Sequence, residues 1–167
     1  MNYRKISTLS FLFITTIYAQ SAFAVSEGVV FFCDQQNQIL KVEHILEPPN
    51  GFWKKHRSTG IDFSDLLVIK KDRVIKHKTK TFHCNFKDTS IKVTIEPQPF
   101  NDDIQGACGA AVTGAITIVK NGKTVLNREP FDTSPDCIVG GSEIIKTITM
   151  RSGDNAPKVK YIKKPDL

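Results

Sequence analysis

Gly106 to Cys137 reads GACGAAVTGAITIVKNGKTVLNREPFDTSPDC, two strand-like runs joined at Asn121-Gly122 with a cysteine near each end. Asn-Gly supplies the two positive-φ residues of a type I′ turn, whose twist matches the strands it connects. A two-residue loop sets Lys120 opposite Lys123, Val119 opposite Thr124, and Ile118 opposite Val125. Cys108 and Cys137 then fall at the open end of the hairpin, within reach of a disulfide. The glycines and alanines around Cys108 let two backbones approach closely.

The same grammar extends upstream. Phe82, Cys84 and Phe86 alternate with Thr81, His83 and Asn85; after a Lys87-Asp88-Thr89 turn, Ile91, Val93 and Ile95 alternate with Lys92, Thr94 and Glu96. A period of two is that of strands with one face buried. Gly28 to Cys33 (GVVFFC) is an apolar strand with Val29, Phe31 and Cys33 on one face. After a polar turn over Asp34 to Gln38, Ile39 to Leu46 alternates again. His44 falls on the apolar side of that strand, where a lone histidine is expected to be a satisfied, half-buried residue. Ile61 to Ile69 and Val74 to Lys78 read as a hairpin turning at Lys70 to Arg73, its basic second arm a protected edge.

Downstream, Gly140-Gly141 breaks the chain and Ser142 to Met150 forms a strand. Its expected faces carry Ile144, Ile148 and Met150 on one side and Ile145 and Thr147 on the other. No stretch sustains a 3.6-residue apolar period. About seven to eight short antiparallel strands with Gly, Pro and Asn between them read as an all-β sandwich or barrel.

The ends set the compartment. Arg4 and Lys5, the apolar Leu9 to Ala19 and the Ala22-Phe23-Ala24 pattern form a secretory signal peptide, residues 1–24, cleaved near Ala24. The apolar run is too short to span a bilayer, and no later run is long enough. Residues 25–150 then form a single β domain, and 151–167 a basic C-terminal tail, or an edge strand using Val159, Tyr161 and Ile162. All four cysteines, Cys33, Cys84, Cys108 and Cys137, lie in the exported part, so two disulfides are expected. Cys33–Cys84 and Cys108–Cys137 are favoured, each worth about 3 to 4 kcal/mol; Cys84–Cys108 with Cys33–Cys137 remains open. The missing N-x-S/T sequon points to a bacterial source, hence to the periplasm or the outside.

The formal charge of +6 falls to +4 without Arg4 and Lys5. The cations gather at Lys54 to Arg57, Lys70 to Lys80 and Lys158 to Lys164. Such patches keep a small β protein soluble and can also meet an anionic surface; export makes nucleic acid the least fitting partner.

Catalytic patterns are missing. There is no G-x-S-x-G elbow, no zinc spacing among His44, His56, His77 and His83, and no phosphate-cradling loop. Asn101-Asp102-Asp103 lacks the spacing of a calcium loop, so neither metal nor cofactor is expected. The segment most like a binding surface is the loop Glu47 to Gly60, with Phe52, Trp53, Lys54, Lys55, His56 and Arg57, because Trp and Arg anchor interfaces. Phe52 and Trp53 folding back to plug one end of the core would suit the sequence equally.

Together these features describe an exported, non-enzymatic protein that occludes a partner protein, as enzyme inhibitors and immunity proteins do. The alternatives are a module for an anionic envelope surface or small ligand, using Lys70 to Lys80, and a cell-wall or glycan hydrolase using acids such as Asp62, Asp65 and Asp102.

Overall fold

The computed structural model describes residues 27–46, 48–70, 73–98, 113–132 and 143–163. Among them are eleven strands, more than the seven or eight expected, paired antiparallel in three sheets. The first strand, β1 (Glu27–Asp34), turns through residues 35–38 into β2 (Ile39–Leu46) with Glu27 opposite Leu46. β3 (Gly60–Asp62) pairs with the other edge of β1.

The hairpin expected over Ile61 to Lys78 is therefore split. Its first residues belong to β3, and Phe63–Leu66 winds into a 3-10 turn capped by Asp62, whose Oδ1 accepts from the Ser64 N–H at 2.9 Å. Only β4 (Leu67–Lys70) and β5 (Arg73–His77) form the hairpin, as a separate two-stranded sheet. The reason is burial. Phe63 and Leu66 are fully enclosed, and a 3-10 turn sends both inward where an extended strand would point them to opposite faces.

β6 (Lys80–Phe86) and β7 (Thr89–Pro97) follow the expected alternation, with Ile91, Val93 and Ile95 fully buried. Each such side chain contributes roughly 1.5–3 kcal/mol relative to exposure. β8 (Gly114–Lys120) and β9 (Lys123–Pro130) complete the sheet β6-β7-β8-β9 around the Asn121-Gly122 turn. Asn121 and Gly122 have φ of 47° and 79°, as a type I′ turn requires. Lys120 lies opposite Lys123 and Val119 opposite Thr124, but Ile118 faces Leu126 instead of Val125. A bulge takes up the extra residue.

β10 (Glu143–Arg151) and β11 (Lys158–Lys163) extend the first sheet to β11-β10-β2-β1-β3. The tail thus supplies an edge strand. A bulge between Ile145 and Thr147 swaps the expected faces of β10: Ile145 joins Ile148 and Met150 in the core cluster, and Ile144 lies outside it although buried.

One apolar core is shared by the two large sheets. Val29, Phe31, Leu40, Val42 and Ile148 come from the first, Ile91, Val93, Ile116 and Ile118 from the second. Phe131 ties them at one end: its N–H donates to the Gly114 carbonyl, and its own carbonyl accepts from the Ile145 N–H. Neither sheet closes on itself among the described residues.

The expected Cys33–Cys84 disulfide is present, with Cα atoms 5.6 Å apart, and it joins β1 to β6. Beside it the rings of Phe31 and Phe82 stack with centroids 3.5 Å apart. Cys84 is buried as expected; Cys33 is at the exposed end of β1, off the core face assigned to it. Cys108, Cys137 and Asn101 to Asp103 lie outside the described residues, as do residues 1–26.

Candidate functional site

Pro48 and Pro49 cannot continue the ladder of β2, and the chain turns there. Gly51, at φ 81°, opens the single helical turn α1 (Phe52–Lys55) where a plain loop was expected. The Phe52 N–H donates to the Pro49 carbonyl, Lys55 to Gly51 and His56 to Phe52. The Phe31 N–H then takes the Thr59 carbonyl at 2.7 Å, fastening the end of the loop to β1. No residue of α1 is fully buried, so this turn is held by backbone bonds and by its rings.

Those rings divide the six residues singled out in the sequence. Phe52 stacks on His56 with centroids 4.3 Å apart and meets Trp53 edge-on at 5.1 Å. All three are half-buried, whereas Lys54, Lys55 and Arg57 are exposed. Trp53 lies over Gly28 of β1, where a methyl group would come within 2.6 Å of its Cη2. Only glycine admits the indole so close to the strand. Trp53 is thus both a packing residue and part of a surface.

That surface is a groove of about 510 Å³. Trp53, Lys54 and Arg57 line it from the α1 side; Lys78, Thr79 and Lys80 line it from the link between β5 and β6. Buried Ile61 and Leu66 contribute apolar lining, and Asp62 and Asp65 bring two carboxylates. Phe52, Lys55 and His56 do not line it. The groove joins two regions that the sequence presents as separate surfaces, the Trp53 loop and the end of the basic run Lys70 to Lys80. The link is the Lys78 N–H, which donates to the Leu66 carbonyl at 2.7 Å. No local pattern announces that bond.

The electrostatics are one-sided. Among the described residues, no carboxylate pairs with Lys54, Arg57 or Lys78, while Lys80 sits over the Phe82 ring with Nζ 5.5 Å from its centroid. Elsewhere Lys41 pairs with Glu43 and Arg128 with Glu96, each at 2.9 Å. Asp62 accepts from both the N–H and the hydroxyl of Ser64, so one of its oxygens is committed to the 3-10 turn. Asp65 is exposed.

The remaining candidates lie apart. His44 is more buried than half, at 1 % exposure, and it packs against the Phe63 and Phe131 rings. Its Nδ1 is 2.9 Å from the Ile145 carbonyl; Nε2 faces Glu27 Oε2 at 3.4 Å without hydrogen-bond geometry. This is a core histidine. His77 and His83 are exposed. Among the described residues no three of His, Cys, Asp and Glu gather as a metal centre, and no helix is long and apolar enough to cross a membrane.

Comparison finds no match for this chain among protein-family models, curated proteins or solved structures. The geometry of the groove is therefore the basis for any functional reading.

Proposed function

We propose that the chain is an exported, non-enzymatic binding protein that occludes a partner protein in the bacterial periplasm or outside the cell, as an inhibitor or immunity protein does. The observation that carries this is the groove that Trp53 and Arg57, residue types that anchor interfaces, line together with Lys78 and Lys80. A leader removed near Ala24 delivers residues 25–150 as one domain, with 151–167 supplying its edge strand. One core shared by two large sheets supports a two-layer sandwich. Such a scaffold, bridged by Cys33–Cys84, loses little freedom on binding.

The test is capture of partners from the producing cell's envelope by wild type, Trp53→Ala and Arg57→Ala. Both variants should lose the captured protein. Arg57→Ala, at an exposed position, should unfold at nearly the wild-type temperature. Trp53→Ala, which gives up packing on Gly28, should unfold at a lower one while still folded at the capture temperature. Capture by both as efficient as by wild type removes the groove from the function.

A hydrolase reading has one observation in its favour: Asp62 and Asp65 line the same groove. Asp62 is already engaged by Ser64, which leaves a poor pair for acid–base work. Asp65→Asn should leave partner capture intact, and glycan-cleaving activity that Asp65→Asn abolishes would reverse the choice.

A further inference from the structure

The groove has a chemical preference that the binding reading alone does not specify. Four cations, Lys54, Arg57, Lys78 and Lys80, and two carboxylates, Asp62 and Asp65, line about 510 Å³, a volume inside the roughly 300–1,000 Å³ of ligand-sized sites. That space is too small for a folded surface and suits the side chains of a short extended segment. Lys78 is fixed to buried Leu66 through its own N–H, and Lys80 begins the strand that Cys84 bridges to β1. The basic wall is thus tied to the core, not to a free loop.

We propose that the groove receives an extended acidic peptide segment of the partner protein, an inference that rests on the binding function above. Arg57 offers a planar donor fork that matches a carboxylate bidentately, and Lys54 and Lys78 add point charges on the two walls. Half-buried Trp53 offers apolar contact to the stems between the acids. Two further features select a peptide over other anions. The cations line a concavity, which a flat anionic bilayer cannot enter. Exposed Asp65 repels a uniformly charged sulfated glycan more than a peptide whose acids alternate with neutral residues, and it can accept a backbone N–H.

Trp53 is the only tryptophan in the chain, so its emission reports on the groove directly. The probe is an eight-residue peptide of alternating glutamate and alanine, titrated into the full mature protein. A saturable change in Trp53 emission is expected, weakening as added salt shortens the Debye length below about 8 Å. Arg57→Glu with Lys78→Glu should lose at least about tenfold in affinity, equal to about 1.4 kcal/mol. Arg57→Gln with Lys78→Gln should show a smaller loss in the same direction, and Lys123→Glu at the exposed β8–β9 turn none.

Peptide binding that is absent, or equal in the reversed variant and the wild type, overturns the proposal. So does tighter, Arg57- and Lys78-dependent binding of a sulfated glycan or of anionic vesicles. If Trp53→Ala loses its captured partner while Arg57→Glu with Lys78→Glu keeps it, the acidic segment is wrong and the binding function stands. If Trp53→Ala and Arg57→Ala both capture as well as wild type, the binding function itself falls.

Discussion

Gly28 shows how one side chain, or its absence, controls the site. A methyl there meets the Ile61 carbonyl and the Trp53 ring at once. Gly28→Ala is therefore expected to cost about 1–3 kcal/mol of overpacking and to push the indole toward water. Urea denaturation reads the first effect; a red shift of the single tryptophan's emission reads the second. Unchanged emission would mean the indole does not rest on β1. Asn121 is the counterpart at the far turn. Its Oδ1 accepts from the Ser90 N–H at 2.8 Å while its backbone holds a φ of 47°. Asn121→Gly keeps the backbone and should lose about 1 kcal/mol for the hydrogen bond. Asn121→Ala adds left-handed strain of about 1 kcal/mol or more, so urea midpoints should fall in the order wild type, Gly, Ala.

Strands show how pairing decides what local pattern leaves open. The alternation in β6 and β7 appears directly in the structure because each position has one wet and one dry side. β10 does not follow its own alternation, because a bulge after Ile145 rotates the rest of the strand. That bulge arises where β10 meets β11, and nothing in the sequence of β10 alone marks it. β11 also reaches the other large sheet: the Tyr161 hydroxyl donates to Glu129 Oε1 of β9 at 3.0 Å. Burial, and then this bond beside a carboxylate, raise the Tyr161 pKa above its ordinary value of 10.0. A folded-state pKa above the unfolded one means the contribution is whole below about pH 10 and fades as pH rises through the folded value. Wild type should thus lose its stability advantage over Tyr161→Phe in the alkaline range, seen as converging thermal midpoints above about pH 10. Midpoints that stay parallel would leave the contact without energetic weight.

For the molecule as a whole, the bridge between β1 and β6 matters most. Cys33 and Cys84 are 51 residues apart in sequence, and closing a loop of that size stabilises by about 4 kcal/mol on the chain-entropy estimate. The variant Cys33→Ala with Cys84→Ala should lose about that much in urea unfolding. An unchanged midpoint would show that the shared core alone holds the sheets. Because β6 also carries Lys80, the same variant should weaken the peptide-dependent emission change of Trp53.

Much of the architecture is legible in the amino-acid sequence alone. The antiparallel all-β class, the β2 boundaries and the Asn121-Gly122 turn follow from short-range rules, since side-chain period and positive-φ residues act between close neighbours or along one strand. The Cys33–Cys84 bridge is favoured among several pairings by placing both cysteines on core faces, which holds for Cys84 and not for Cys33. The bulges, the 3-10 turn that splits the Ile61 to Lys78 segment, the full burial of His44 and the meeting of Trp53 with Lys78 are not legible there. Each depends on which strand lies beside which. Those choices are made by core volume and by hydrogen bonds between distant residues, such as Lys78 to Leu66 and Phe31 to Thr59. Hence the loop around Trp53 announces itself by composition, while half of the groove exists only once the chain is folded.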